Sequence, residues 1–131
     1  TELESELNNT VFTGFLTGNA LSKAYAGSDV FFFPSDTETF GNVTLEAMAS
    51  GLPCLVADAQ GSKSLVDHSE NGFLIPVSKK KKFISRAEEL AKDAELRRRL
   101  GQKSFEKAQN YTWDKINSTL LTHYYEVLGN E

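Results

Sequence analysis

Apolar residues form two uninterrupted runs in the first half of the chain, at residues 30–33 and 52–57. A strand with one solvated face alternates apolar and polar residues, whereas a strand that is covered on both faces does not. These runs therefore predict buried strands of a parallel sheet. Shorter strands are predicted at residues 10–13, just before Gly14, and at residues 73–75.

Helical patterns separate these strands. Residues 20–26 predict one helix, with Tyr25 on its apolar face, and residues 62–67 predict a short one. Between them, Asn42 is the predicted N-cap of a helix that Gly51 ends. Strands and helices that alternate in this way form right-handed βαβ units around a parallel sheet. The predicted fold class is therefore α/β, a Rossmann-like parallel sheet with flanking helices.

The pattern becomes helical throughout from Lys79 onward. Two apolar stripes predict helices across residues 83–105, with Gly101 as a weak point, and Thr112 is the predicted cap of a last helix over residues 113–128. We expect these helices to cover the faces or one end of the sheet. The stripes consist of Phe83, Ala87, Leu90 and Ala91; of Leu96, Leu100 and Phe105; and of Trp113, Ile116, Leu120, Leu121, Tyr124 and Leu128.

The chain has the size and composition of one globular domain, with 131 residues, 40% of them apolar and 24% charged. No run approaches the roughly 18 apolar residues of a membrane span. The net charge of −4 argues against nucleic acid as a partner. Since the single cysteine, Cys54, lies in an apolar run and excludes an internal disulfide, we expect a buried, inert thiol and a cytoplasmic protein.

Charge is unevenly distributed along the chain. Residues 1–78 carry 2 basic and 10 acidic side chains, whereas residues 79–131 carry 12 basic and 8 acidic ones. Many of the basic side chains come from residues 79–82 and 97–99. Two interpretations stay open: a solvated face of two surface helices, which we favour, and a weak attraction to an anionic membrane surface.

The candidate chemistry lies in residues 35–51, with the sequence SDTETFGNVTLEAMASG. In open α/β sheets, ligands bind beyond the carboxyl ends of the strands, where loops meet helix N-termini. Residues 35–41 form such a loop, so four backbone N–H groups would point outward there and form a cradle for a phosphate. The glycine of this loop lets a ligand approach the backbone, because it has no side chain. The cradle consists of Phe40, Gly41, Asn42 and Val43.

Two carboxylates flank this cradle, Glu38 in the loop and Glu46 about one turn into the helix. A carboxylate accepts paired hydrogen bonds from a vicinal diol such as that of a ribose or a hexose. A nucleotide sugar carries diol, diphosphate and hexose in that order, which matches this arrangement. Each glutamate alone is better explained structurally, since acids are common in loops and in first helical turns. The joint pattern favours a binding site.

Residues 38–53 read E-T-F-G-N-V-T-L-E-A-M-A-S-G-L-P. This stretch resembles the signature of family 4 glycosyltransferases of the GT-B fold, which are retaining enzymes that use nucleotide-diphosphate sugars. The members that it resembles most in appearance are mannosyltransferases and sulfoquinovosyltransferase-like enzymes. The resemblance covers nearly the whole chain and continues over residues 11–14, 24–26, 29–35 and 72–74 and at Trp113, Tyr124 and Tyr125.

This resemblance implies a function and a set of roles. The chain would be part of a retaining hexosyltransferase and would bind its donor, a GDP- or UDP-sugar. Glu38 would act as the catalytic residue, since it would contact the transferred hexose and stabilise its developing positive charge. Glu46 would hold the ribose, and the N–H groups of the cradle would donate to hexose hydroxyls and phosphate. Phe15 and Leu16 match the position of the nucleobase site.

The chain departs from the family pattern in two ways. After the next strand the family often has two glycines and then an acid, whereas residues 60–64 contain Gly61 alone and no acid. In addition, residues 1–131 lack the acceptor domain and the first two strands of the donor domain, with the Arg and Lys that the resemblance implies beside the diphosphate. Lys63 is the one basic residue near the predicted site, and we do not assign it that role. The chain thus corresponds to the C-terminal part of a donor domain.

The absent strands would lie beside the strand at residues 31–33 and leave its edge open, which invites pairing with another chain. We therefore expect the isolated chain to be inactive and to self-associate or re-pair its strands, with the acceptor domain supplied by the same or another polypeptide. Two alternatives stay open: a non-catalytic module that binds a nucleotide or a partner, and one chain of a split glycosyltransferase. No residue cluster has metal-ligand spacing, so neither a protein-bound metal nor another cofactor is expected.

Overall fold

The computed structural model describes residues 7–129. Within them, helices alternate with three parallel strands, and a helical segment follows. The elements in chain order are α1 (Gly18–Ala26), β1 (Phe31–Phe33), α2 (Asn42–Ala49), β2 (Cys54–Ala57), α3 (Gln60–Leu65), β3 (Gly72–Ile75), α4 (Lys80–Lys92), α5 (Ala94–Ala108), a 3-10 turn (Gln109–Tyr111) and α6 (Trp113–Leu128).

The three strands form one parallel sheet in the order β1–β2–β3. Phe32 of β1 is level with Leu55 of β2, which is level with Phe73 of β3. Each crossover between neighbouring strands passes through a helix, α2 or α3, so the predicted βαβ units are present. The α/β fold class predicted from the sequence is confirmed.

β2 forms the centre of the sheet, and all of its residues are buried. Cys54 and Val56 pack into one apolar cluster and Leu55 and Ala57 into another, because successive side chains of a strand point to opposite faces. The missing alternation in the sequence thus reflects a core on both sides of the strand. The first cluster also contains Ala47, Met48, Leu52, Leu65, Val66 and Ala108, and the second contains Phe73, Ile75, Phe83, Leu90 and Leu100.

Helices α4 and α5 contribute to the second of these clusters, in agreement with the prediction that they cover the sheet. Gly101, a predicted weak point of α5, is instead a close-packing position. A Cβ there would overlap the carbonyl oxygen of Gly51, which follows α2, so the absence of a side chain is what permits the contact. Phe105 is wrongly predicted to face the core, since it is 43% exposed.

Helix α6 has the predicted bounds, and Thr112 caps it by accepting a hydrogen bond from the Lys115 N–H at 3.4 Å. Its apolar stripe, however, stays exposed in the described part of the chain: Trp113 is 77% exposed, and α6 contributes no buried residue. The prediction that this helix covers the sheet is therefore wrong for residues 7–129. An amphipathic pattern predicts a helix but does not identify what covers its apolar face. None of the described helices is both long and apolar enough to cross a membrane.

Residues 10–13 do not form the predicted strand, and Val11 is 85% exposed. A strand needs a hydrogen-bonded neighbour. Among residues 7–129, no other segment pairs with residues 10–13. β1 pairs with β2 alone in the same part of the chain, so its outer edge is open, in agreement with the prediction. Phe32 lies beside this edge and is half exposed, and its ring meets Phe83 edge to face at 5.7 Å between centroids.

Candidate functional site

The loop of residues 34–41 leaves the carboxyl end of β1 and enters α2, as the sequence predicts. Gly41 precedes the helix with a φ of +97°, in the left-handed region that favours glycine. It is also buried, and a Cβ at this position would lie 3.1 Å from Leu65 Cδ1. Asn42 is not the N-cap that the sequence predicts, because Gly41 occupies the cap position and Asn42 is the first residue of α2.

Four backbone N–H groups at this junction donate to no acceptor among residues 7–129. The first hydrogen bond of α2 comes later in the chain, from the Leu45 N–H to the Gly41 carbonyl at 2.9 Å. Unpaired N–H groups and the positive end of the helix dipole favour an anion here. The four groups belong to Phe40, Gly41, Asn42 and Val43, which are the residues of the predicted cradle.

Glu38 and Glu46 precede and follow the cradle in the chain. Glu38 is half-buried in the loop, and its carbonyl accepts a hydrogen bond from the Gly61 N–H at 3.3 Å. Glu46 is exposed one turn into α2, and its Oε2 accepts a hydrogen bond from the Tyr25 hydroxyl at 3.3 Å. Within the described residues, neither carboxylate forms an ion pair with a lysine or an arginine. Each therefore keeps acceptor capacity for a ligand.

Tyr25 connects α1 to this site. Its ring packs against Phe31, with 6.2 Å between the centroids, and its hydroxyl also lies 3.4 Å from the Val43 carbonyl oxygen. Burial raises the pKa of Tyr25 above its ordinary value, and the negative charge of Glu46 raises it further. The hydroxyl therefore stays protonated at neutral pH and acts as a hydrogen-bond donor.

Helix α3 packs against the loop through Gly61. A Cβ at this position would lie 2.9 Å from the Glu38 carbonyl oxygen and from the N and C atoms of Phe40. Thr44 of α2 and Ser62 of α3 are fully buried, and neither hydroxyl oxygen has a hydrogen-bond partner within residues 7–129. The backbone of the loop at Glu38 and Phe40 thus packs directly against α3 at Gly61.

The predicted nucleobase residues precede α1. Phe15 is 95% exposed, Leu16 is half-buried, and within residues 7–129 neither forms a hydrogen bond with the segment 38–46. Their assignment to the nucleobase stays a prediction. Phe40 of the cradle is partly exposed, and its ring lies 6.0 Å from that of Tyr111.

Two other kinds of group bear on ligand binding near this site, the basic side chain of Lys63 and clusters of metal ligands. Lys63 is paired with an acid, since its Nζ lies 3.2 Å from Asp58 Oδ1. Across the described ranges of the chain, no group of three or more His, Cys, Asp or Glu side chains could hold a metal ion. The expectation that the protein needs no resident metal stays a prediction.

Two residues of this site, Tyr25 and Gly61, have no site role in the prediction from sequence. The sequence indicates Tyr25 only as part of an apolar helix face and of the family resemblance, and Gly61 only as a departure from the family pattern. Both make their contacts across long stretches of chain, to Glu46 and to the loop at residues 38–40 respectively. A local sequence pattern carries no signal for such contacts.

Comparison with known protein families matches residues 2–107 to the family described as glycosyl transferases group 1. The match covers most of the chain and includes the loop, the cradle and both glutamates. The chain therefore belongs to this family of glycosyltransferases.

Two curated relatives support the same assignment. The chain is 38% identical over 128 residues to the GDP-mannose-dependent alpha-mannosyltransferase of Mycolicibacterium smegmatis, covering 98% of this chain and 34% of that protein. It is 36% identical over 118 residues to the sulfoquinovosyl transferase SQD2 of Arabidopsis thaliana, covering 88% of this chain and 23% of that protein. The predicted resemblance to mannosyltransferases and sulfoquinovosyltransferases is confirmed, and the chain spans only a quarter to a third of the length of these relatives.

Solved structures agree with the fold. A sucrose-phosphate synthase from Thermosynechococcus elongatus superimposes with a TM-score of 0.83 at 26% identity, covering 98% of this chain and 33% of that one. A chain of the GtfA/B complex superimposes with a TM-score of 0.69 at 28% identity, covering 82% of this chain and 23% of that one. The prediction of a GT-B type α/β fold is confirmed.

Proposed function

We propose that this chain is the donor-binding part of a retaining glycosyltransferase, which transfers a hexose from a GDP- or UDP-sugar to an acceptor. The observation that carries the proposal is the junction between β1 and α2. Four backbone N–H groups lie there that donate to no acceptor in the described residues; in the chain Glu38 precedes them and Glu46 follows them, and no cation neutralises either carboxylate in the same residues. Membership in the group 1 family supports the same function, and one relative is named as GDP-mannose-dependent.

In this proposal the diphosphate of the donor binds at the start of α2. Phosphate oxygens accept from the unpaired N–H groups, and charge-assisted hydrogen bonds of this kind are stronger than those between neutral groups. Gly41 has no Cβ, so a phosphate approaches the backbone closely. Glu46, one turn further along the helix, accepts from the two vicinal hydroxyls of the ribose.

Glu38 contacts the transferred hexose on the other side of the diphosphate. When the bond between the anomeric carbon and the diphosphate breaks, positive charge develops on the sugar and negative charge on the leaving group. The Glu38 carboxylate stabilises the positive charge on the sugar, and the N–H groups of the cradle stabilise the negative charge on the diphosphate. Because Glu38 is half-buried, its interaction with the sugar is screened by water less than that of an exposed acid.

The chain is proposed to be the C-terminal part of a GT-B donor domain. Strands that pair with the open edge of β1 complete that domain, and an acceptor domain is supplied by the same or another polypeptide. The open edge, the exposed apolar stripe of α6 and the short span relative to the curated relatives all support this assignment.

One chain of a split glycosyltransferase is the second candidate. One similar structure is described as a complex, and the exposed stripe of α6 offers an apolar surface to a partner polypeptide. Co-purification of a second polypeptide that restores transfer favours this candidate. A longer single polypeptide that is active by itself favours the first.

The test uses the complete enzyme, in which this chain is combined with the strands that complete the donor domain and with the acceptor domain. Hexose transfer from GDP- and UDP-sugars is measured, and NMR follows the anomeric configuration of the product. We expect retention of configuration, and a kcat about 10²–10³ lower in Glu38→Gln with little change in KM. Glu88→Gln, at an exposed glutamate of α4, is the control and keeps the wild-type kcat. Inverted product, or normal turnover in Glu38→Gln, would overturn the proposal.

A further inference from the structure

The Glu46 carboxylate receives a side-chain hydrogen bond from a different helix. The donor is the Tyr25 hydroxyl, on the last turn of α1, at 3.3 Å from Glu46 Oε2. We infer that Tyr25 is a positioning residue for donor binding, which holds the Glu46 carboxylate in the orientation that accepts the ribose diol. The inference rests on the proposed function of Glu46 and adds to it the residue that orients it.

An exposed glutamate needs such a constraint. Glu46 lies on the solvent side of α2, and among residues 7–129 no other side chain donates to its carboxylate. A free glutamate side chain samples many rotamers, and binding a ligand through it means losing that freedom. A donor that fixes Oε2 in advance leaves Oε1 and the second lone pair of Oε2 for two ribose hydroxyls.

Tyr25 is itself well anchored. Its half-buried ring belongs to the first apolar cluster and is tilted by 55° against Phe31 of β1. The sheet therefore determines where the hydroxyl lies, and the hydroxyl determines where the Glu46 carboxylate lies. The proton is shared with the Val43 carbonyl oxygen at 3.4 Å, and the charged carboxylate is the stronger of the two acceptors.

Both hydroxyl contacts are longer than the usual 2.7–2.8 Å between two oxygens. At these distances each contact is weaker than an ideal hydrogen bond, and the charge of the Glu46 carboxylate offsets part of that loss. Val43 also contributes an N–H to the cradle, so Tyr25 contacts the proposed ribose-binding side chain and the carbonyl of one cradle residue.

The experiment is a double-mutant cycle on the complete enzyme, with Kd for GDP and UDP measured by calorimetry. Tyr25→Phe removes only the hydroxyl, and we expect it to raise Kd for the preferred nucleotide roughly 2- to 12-fold, the range for one side chain that is no longer held in place. In the Glu46→Ala background the same substitution should change Kd by less than about twofold, because no carboxylate remains to be oriented. KM for the donor sugar should rise with Kd while kcat changes little.

Tyr111→Phe is the matched control. Tyr111 is also half-buried against the first cluster, and its hydroxyl donates to the Ser64 carbonyl at 2.9 Å, away from Glu46. This variant keeps the ring that lies beside Phe40 and removes only the hydroxyl, so it measures what the loss of a tyrosine hydroxyl costs in stability and should leave Kd unchanged. Thermal unfolding of each variant is recorded alongside.

Three outcomes would overturn the inference, and they are distinguishable. An equal rise of Kd in both backgrounds means that Tyr25 acts through the fold and not through Glu46. If Tyr25→Phe leaves Kd unchanged while Glu46→Ala raises it, Tyr25 has no role in nucleotide binding and the proposed function stays intact. An unchanged Kd in Glu46→Ala removes the ribose assignment itself and the inference with it.

Discussion

Gly61 lets α3 pack directly against the loop that carries Glu38, and the substitution Gly61→Ala tests what this contact does. A Cβ at position 61 would lie 2.9 Å from the Glu38 carbonyl oxygen and from two backbone atoms of Phe40. Because these are backbone atoms, no side-chain rotation relieves the overlap. The loop has to move by roughly half an ångström to reach ordinary van der Waals distance.

Two effects of Gly61→Ala on the free energy of unfolding oppose each other. Alanine favours a helix over glycine by up to about 1 kcal/mol. Overpacking costs about 1–3 kcal/mol, and a weakened hydrogen bond from the residue 61 N–H to the Glu38 carbonyl costs up to about 1 kcal/mol more. We therefore expect a net loss of up to about 3 kcal/mol, whereas helix propensity alone would predict a gain.

The effect on turnover is expected to be larger than the effect on stability. Misplacement of a catalytic group by about 1 Å costs on the order of 10²-fold in rate, so half that displacement should lower kcat of the complete enzyme by about tenfold. Steady-state kinetics and urea unfolding measure the two quantities on the same variant.

Gly101→Ala is the control for Gly61→Ala. A Cβ at position 101 also meets a backbone carbonyl, that of Gly51, but at the amino end of the sheet, far from the loop. This variant should lose stability and keep the kcat of the folded enzyme. If Gly61→Ala is as stable as the wild type and has the same kcat, the loop tolerates a side chain at position 61 and the contact with α3 does not determine the position of Glu38.

Three further predictions concern Gly41, the buried thiol of Cys54 and the open edge of the sheet. Gly41→Ala forces a Cβ into the left-handed region beside Leu65, so we expect a loss of about 1–3 kcal/mol in urea unfolding and weaker nucleotide binding in calorimetry; unchanged values in both would contradict this. Burial raises the pKa of the Cys54 thiol to about 12, so a thiol reagent at neutral pH should label it only after unfolding, and fast labelling of the native protein would be inconsistent with its burial. The isolated 131-residue chain should transfer no sugar and should self-associate or re-pair its strands, and an active, monodisperse monomer in light scattering would refute both expectations.

Much of the fold follows from local pattern. The unbroken apolar run at residues 52–57 predicts a strand with a core on both faces, and β2 has one because Cys54 and Leu55 pack into different clusters. Residues 10–13 carry a similar but shorter pattern and form no strand. Strand formation depends on a hydrogen-bonded neighbour, and composition does not reveal whether one is present. The stripe of α6 is likewise a correct helix prediction with a wrong expectation of its burial.

The candidate site shows the same division between local and distant contacts. Its cradle and the positions of Glu38 and Glu46 are readable from the sequence, because a loop, a glycine and a helix start lie next to one another in the chain. The N-cap of α2 could not be predicted from the sequence. Asn42 is the better N-cap by residue type, but Gly41, in the left-handed conformation, occupies that position. Tyr25 and Gly61 reach the site only through tertiary packing, so they become visible in the structure alone.

Binding of a nucleoside diphosphate to the complete enzyme, compared between wild type and Glu46→Ala, decides whether this carboxylate holds the ribose of the donor. We expect measurable affinity for GDP or UDP in calorimetry and a loss of about 1–3 kcal/mol in Glu46→Ala, the scale for removing hydrogen bonds to a charged group. Glu88→Ala, at an exposed glutamate on α4, should bind like the wild type. Equal affinity in wild type and Glu46→Ala would contradict the assignment of the ribose to this carboxylate and, with it, the proposed orientation of the donor.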